Sequence, residues 1–438
     1  MCSSRIARVA QLAAVAALCA RSGLAFADVL PLAELEAQAQ RKRPGVAASD
    51  ARIAEARARV DRARSAYAPV ITLVGDASLT PGSQLVQLKA AAIEDNTGPV
   101  LIAGSKPLGD AGAFRPFGRY GAMLDVRSNI YDFGRTGAAV DAAHAERRAV
   151  EAEAEKQARE IARDVRFAYV RWAVSDALHT LARESADAAE ARTRSTSASI
   201  EEGARPSADR IAAQTDAGFA RLDLERARAN LETARLDLGL VCALDIPGDA
   251  RPDAAVLADG TMPAVLDEQR DPALASLEEQ RAAARATARV HDHAFAPVLS
   301  AQLQAGVQGH AEHVFPAYRL GVNLSVPLWD GGADAAARTE AEAHAAALAA
   351  QAAEYTQQRK RNATRTRAAR EQAARRIQVA AELVELTRTR LAQLEEGYPL
   401  GAATLKDLAD ARAALQRART ELVLAQAMRA EAALGVSD

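Results

Sequence analysis

Seven histidines and three cysteines are among the groups in this 438-residue chain that could ligate a metal or act as nucleophiles. His291 and His293 flank Asp292, and His310 and His313 lie three apart, both spacings that a divalent cation could use. A candidate strand of roughly ten residues separates the pairs, about 33 Å at strand rise, so they do not converge on one ion. They are read as structural or solvated side chains. Cys2 and Cys19 belong to an N-terminal segment that is expected to be removed. Cys242, near a helix end, is read as a small packed apolar residue with no disulfide partner. No Ser/His/Asp order, glycine-rich phosphate loop or Cys-x-x-Cys pair appears. The chain is therefore read as a non-enzyme with no cofactor and no metal site.

The elements that position those residues come in duplicate. Tyr67-Ala68-Pro69-Val70-Ile71 returns as Phe295-Ala296-Pro297-Val298-Leu299, and Ile130-Tyr131-Asp132-Phe133-Gly134 as Leu328-Trp329-Asp330-Gly331-Gly332. Glu201-Glu202-Gly203 returns as Glu395-Glu396-Gly397, and Arg226-Ala227-Arg228 as Arg417-Ala418-Arg419. The order is the same both times, so the chain reads as two copies of one half-unit. The expected division is a signal peptide over 1–27, a first repeat over 28–244, a Pro- and Gly-rich linker over 245–270 and a second repeat over 271–438. Each repeat reads helix, strand, loop, strand, long helix, turn, helix.

The N-terminal segment has a basic start (Arg5, Arg8), an apolar run from Val9 to Ala20 and a small-x-small cleavage site at Ala25-Phe26-Ala27. That is the pattern of a secretory signal, too short to span a bilayer. Cys19 as a lipidation site would need a small residue before it, where Leu18 stands. Net charge is −2, so no basic field invites nucleic acid. Aromatic residues are only 4% and Ala about a quarter of the chain, which suits close-packed helices. No run of 18 apolar residues follows the signal, so any membrane crossing must use a β-barrel.

The first half predicts a helix over 32–67 broken at Pro44, strands over 70–79 and 119–131, a helix over 134–200, and a return helix to about Val241 that Ser207 would cap. With no Pro and one internal Gly, the long helix would measure about 100 Å at 1.5 Å per residue. The second half predicts a helix over 272–291, strands over 298–308 and 317–328, and helices over 333–395 and 404–434. The strands are apolar on one face (Leu299, Ala301, Leu303, Ala305, Val307) and polar on the other (Ser300, Gln302, Gln304, Gly306, Gln308). This alternation fits a transmembrane barrel with a wet lumen. The helices carry seven-residue spacings: Leu224, Leu231, Leu238; Leu408, Leu415, Leu422; Ala411, Ala418, Ala425, Ala432; Ile377, Val384, Leu391. A sustained seven-residue repeat means supercoiled packing, and Ala in the seam permits close approach. Four strands cannot close a barrel, for which about eight is the minimum, and three copies would supply twelve.

With these features in this order, the chain resembles the TolC family of outer-membrane efflux channels over essentially its whole mature length. The resemblance rests on the tandem halves, the Tyr67-Ala68-Pro69 and Phe295-Ala296-Pro297 strand openings, the Asp132 and Asp330 corners, and the segment from Gly397 to Leu408. It implies a mixed α/β membrane protein: a tandem-repeat protomer of long coiled-coil helices and four strands. Three such protomers would form a 12-stranded β-barrel in outer-membrane lipid, continued by an α-helical periplasmic tunnel. It implies a passive exit duct working with a periplasmic adaptor protein and an inner-membrane pump of RND, ABC or MFS type. Gly203, Ala204, Gly397, Leu400 and Gly401 then match an adaptor-docking tip. Asp407, Asp410, Asp209 and Tyr398 match a gate, the acids forming threefold rings that attract cations and respond to mild acid. The family's arginine partner for the gate falls at Ala403 here, leaving Arg205 or Arg210 as substitutes. The connection over 80–118 is expected outside the cell, over the pore mouth. A secreted, non-channel coiled-coil protein of the periplasm is the alternative; it explains the heptads and the signal but not the paired amphipathic strands.

Overall fold

The computed structural model describes residues 29–81, 116–202, 206–258, 271–310, 313–398 and 402–435. The signal segment, most of the connection over 80–118, and Gly203, Ala204, Leu400 and Gly401 lie outside the described residues. In order, the chain forms β1 (Val29–Leu30), α1 (Leu32–Lys42), α2 (Pro44–Arg64), a 3-10 turn (Ser65–Tyr67), β2 (Val70–Pro81), β3 (Pro116–Tyr131), α3 (Arg135–Glu201) and α4 (Ala208–Cys242). There follow β4 (Arg251–Pro252), α5 (Ala255–Ala258), α6 (Pro272–Asp292), β5 (Val298–His310), β6 (His313–Ser325), α7 (Ala333–Gly397) and α8 (Leu405–Ala433). Among the described residues no helix is long and apolar enough to cross a membrane.

Pro44 parts α1 from α2 as its missing amide demands, while α3 and α7, free of proline, run unbroken for 67 and 65 residues. Because these helices are continuous, the two compact units of the chain cut across the halves expected from the sequence. One unit comprises Ile53–Val150 and Leu277–Ala350, the other Met1–Arg52, Glu151–Ser276 and Gln351–Asp438.

In the first unit β2, β3, β5 and β6 form one antiparallel sheet in that order. The helices attached to them are neighbours in the same order, bridged by Arg59–Glu146 (α2–α3, 3.8 Å), Arg148–Glu279 (α3–α6, 2.9 Å) and Arg338–Asp292 (α6–α7, 2.7 Å). Small residues set their spacing: Ala138, Ala142, Ala145 and Ala149 are buried at helical intervals along α3, and Ala284 packs with Ala345 and Leu348. Strand β6 ends at Ser325 rather than at 328, because Pro327 has no amide to give the ladder. Pairing runs on through the expected turn region to His310↔His313, with Pro316 opposite Val307.

The other unit is helical. Its main core gathers Leu35, Ala39, Ile161, Val165, Tyr169, Trp172, Leu238 and Cys242. Tyr169 is wholly buried; its hydroxyl donates to the Leu30 carbonyl and accepts from the Asp253 amide, both at 2.8 Å. That bond holds the parallel β1–β4 pair (Val29↔Arg251, Leu30↔Pro252) against α3. The linker is thus partly structured, carrying β4 and α5, with 259–270 outside the described residues. Along α8 the seven-residue seam is buried: Ala411, Ala418, Ala425 and Ala432 are 4% exposed or less, beside Leu408 and Leu415.

Candidate channel wall and helix-tip site

The ladder register turns alternation along each strand into rows across the sheet. On one face Ile71, Val126, Leu303 and Leu320 align, and next to them Leu73, Leu124, Ala305 and Tyr318. Ala301 and Val322 extend this face. Several of its side chains are exposed: Leu73 is 75% exposed, Tyr318 86% and Leu320 79%. The opposite face aligns Thr72, Asp125, Gln304 and Arg319, and beyond them Arg127, Gln302 and Gly321. There Asp125 accepts from Gln302 Nε2 at 2.8 Å and pairs with Arg127 at 2.7 Å, which satisfies a carboxylate that is itself buried. A sheet apolar on one exposed face and hydrogen-bonded polar on the other matches the wall of a water-filled barrel.

Two corners join this wall to the long helices. After β3, Phe133 (φ 56°) and Gly134 (φ 97°) take left-handed backbone; before α7, Gly331 (76°) and Gly332 (86°) do the same. Each pair is held by the preceding aspartate. Asp132 accepts from the Gly134 and Thr136 amides (3.2 and 2.8 Å) and from the Thr136 hydroxyl. Asp330 accepts from the Gly332 and Asp334 amides (2.9 and 2.6 Å). Burial pushes the Asp132 carboxyl up, but the Thr136 and Gly134 donors outweigh it and hold the group below the usual range. At Asp330 the Asp334 amide does the same. Both acids cap a helix N-terminus. The repeated Tyr-Asp-Phe-Gly and Trp-Asp-Gly-Gly motifs were the signal for these caps, although spacing alone did not assign the role.

At the helix tip, Tyr398 is half-buried and its amide donates to the Leu394 carbonyl at 3.0 Å. Gly397 lies 3.6 Å, measured from where a Cβ would sit, from the Ala402 methyl. Asp407 closes a capping box with Thr404: each backbone amide meets the other's side chain, at 3.0 and 3.2 Å. The Thr404 hydroxyl (2.6 Å) and then its amide hold the Asp407 carboxyl below the ordinary range. Within one protomer this opposes the expected acid sensitivity, because the carboxylate that was to titrate is spent on a cap. Asp410 follows within one turn and is exposed, and Asp209 lies in the first turn of α4. Ser207 does not cap α4; its own backbone is already helical (φ −60°, ψ −24°) and forms no side-chain cap. The first amides of α4 turn instead to the Pro206 and Ser207 carbonyls, both at 3.2 Å.

A charge cluster near the tip escaped sequence reasoning. Arg412 bridges α8 to Glu395 of α7 at 2.7 Å. Burial first, and the like charge of Arg412 second, lower the half-buried Arg192 guanidinium, opposed by Asp216 and Glu395. Arg192 looks like one of many solvated arginines until α3, α4, α7 and α8 are assembled. Among the described residues no group of His, Cys, Asp and Glu could hold a metal ion.

A sequence model of the outer membrane efflux proteins matches residues 35–242 and 266–437. No characterised protein matches the chain significantly by sequence. The fold superposes on the outer membrane protein VceC of Vibrio cholerae with a TM-score of 0.73 at 18% identity, covering 92% of this chain and 94% of that one. The open state of the MtrE outer membrane channel of Neisseria gonorrhoeae gives 0.72 at 17%, covering 92% and 87%. The CmeC outer membrane channel of Campylobacter jejuni gives 0.70 at 14%, covering 92% and 85%. With the family model spanning most of the chain and the amphipathic sheet joined to unbroken helices, the chain belongs to the outer membrane efflux protein family and shares the fold of outer-membrane channels.

Proposed function

We propose that three copies of this chain close into a 12-stranded barrel and pass solutes outward from an inner-membrane pump, received through a periplasmic adaptor. The carrying observation is the four-stranded sheet whose edges, β2 and β6, have no partner strand among the described residues, and its exposed apolar face. Unpaired edges cannot stay in lipid, where each unsatisfied backbone group costs about several kcal/mol. Pairing β6 of one copy with β2 of the next removes every edge, and three is the smallest such number that exceeds the eight-strand minimum comfortably. A soluble coiled-coil spacer would gain nothing from that apolar face.

The division into tandem halves at 28–244 and 271–438 belongs to this reading, as does the tip formed by Gly203, Ala204, Gly397, Leu400 and Gly401 as the docking surface for the adaptor. Asp407 and Asp410, with Asp209 and Tyr398, form the narrow neck, and the caps at Thr404 fix where the second tip helix begins. The test has two parts. Crosslinking of the full chain in mild detergent should give a trimer, and the same material should conduct ions in a planar bilayer. Monomer alone, or trimer without conductance, would reject the duct.

A further inference from the structure

We propose that the channel wall carries an oxyanion-binding niche at the base of the sheet, built on Arg62 and Arg135. A surface concavity of about 430 Å³, largely open to solvent, lies where the ends of α2 and α6 meet β3, β5 and the start of α3. Arg62, Arg135, Asn129, Asp132, Thr136 and Val298 are among the residues that line it. Asn129 pairs with Ser300, and Val298 stands two residues before Ser300, so both belong to the polar face of the sheet. These two side chains therefore stand on the side turned away from lipid, so the ligand held beside them is a soluble anion; this step rests on the duct reading of that face.

The charge of the lining has the right sign. Asp132 is the one acid there, and its oxygens already accept from Gly134 and Thr136. Neither Arg62 nor Arg135 has an acidic partner within salt-bridge distance among the described residues. Two guanidinium groups against one carboxylate leave the lining one charge positive. Guanidinium forks match the paired oxygens of carboxylate and phosphate, and a cavity of this size is within the range that holds small organic molecules. The class of ligand is a small polycarboxylate or phosphate-bearing solute in transit.

Calorimetric titration of the purified full chain with citrate and with inorganic phosphate tests this. Saturable heat is expected. The Arg62→Gln/Arg135→Gln variant should weaken Kd by about tenfold or more, as loss of hydrogen bonds to charged groups does. Absence of saturable heat, an unchanged Kd in the variant, or a response only to short-chain phosphatidate would overturn the niche. Should the double variant assemble poorly, Arg62→Lys/Arg135→Lys keeps the charge and loses the fork, and must still weaken citrate. Conductance in chloride, measured without ligand, tests the duct independently of the niche.

Discussion

Replacing Tyr169 with phenylalanine isolates a single oxygen that ties the strand Val29–Leu30 to the 67-residue helix α3. The ring would keep its edge-to-face contact with Trp172, centroids 5.7 Å apart, and its place among Leu35, Val165 and Leu238. What is lost is the pair of 2.8 Å bonds to the Leu30 carbonyl and the Asp253 amide. A stranded buried polar group costs about 1–3 kcal/mol. Asp253 is exposed and its amide can turn to water, whereas Leu30 is half-buried. The two together should cost about 2–3 kcal/mol. At 1.4 kcal/mol per tenfold, local opening of the β1–β4 pair rises about 30- to 150-fold. Hydrogen exchange read by mass spectrometry on peptides covering Leu30 and Arg251–Asp253 measures it, with circular dichroism confirming unchanged helix content. An acceleration below about threefold would refute the reasoning that this hydroxyl, rather than ring packing, secures the segment. The same oxygen has a pH signature. Burial raises the Tyr169 pKa, so the folded state favours the neutral phenol. Its contribution is complete below the unfolded value of about 10 and is lost as pH rises through the folded one.

Gly306→Ala should abolish assembly, because the new methyl carbon would sit 2.0 Å from the Ala122 carbonyl oxygen and 2.7 Å from Met123 Cα; Gly321→Ala, with nothing within 4 Å, should assemble normally, and heat-modifiable migration of outer-membrane fractions reads both. Asp407→Asn should reduce cation preference and trivalent-cation block in single-channel records, whereas Thr404→Ala, which removes the cap and keeps the charge, should retain block at neutral pH. Because the cap depresses the Asp407 pKa, its cap contribution is present above about pH 4, the unfolded value, and disappears as pH falls through the folded one; loss of block already at pH 6 would contradict this. Gly401→Trp should abolish export without lowering the amount of trimer in the membrane, and export at the unmodified level would remove the tip from adaptor docking.

Sequence alone determined the four long strands and the main helices, because their signals are local. Alternation over Leu299–Val307 fixed the strands, the absence of proline fixed α3 and α7, Pro44 fixed a break, and the seven-residue alanine seam of α8 announced the face that became buried. The tandem repeat, read with the resemblance it carries, was enough to indicate the family. What only the tertiary structure decided are relations between residues far apart in the chain. Ladder register set Asp125 beside Gln302 and aligned Ile71 with Leu320 across four strands. Helix packing brought Tyr169 to Leu30 and Arg412 to Glu395, and it gave the charges near Arg192 their environment. Spacing also misjudged the first tip, where Ser207 was expected to cap α4. Ser207 and Thr404 are equally good caps by residue type, but capping requires extended backbone at that residue, and only Thr404 (φ −93°, ψ 163°) has it. Periodicity is written in each residue's neighbours, whereas backbone angle at a turn and partners across a sheet are set by the whole chain closing on itself.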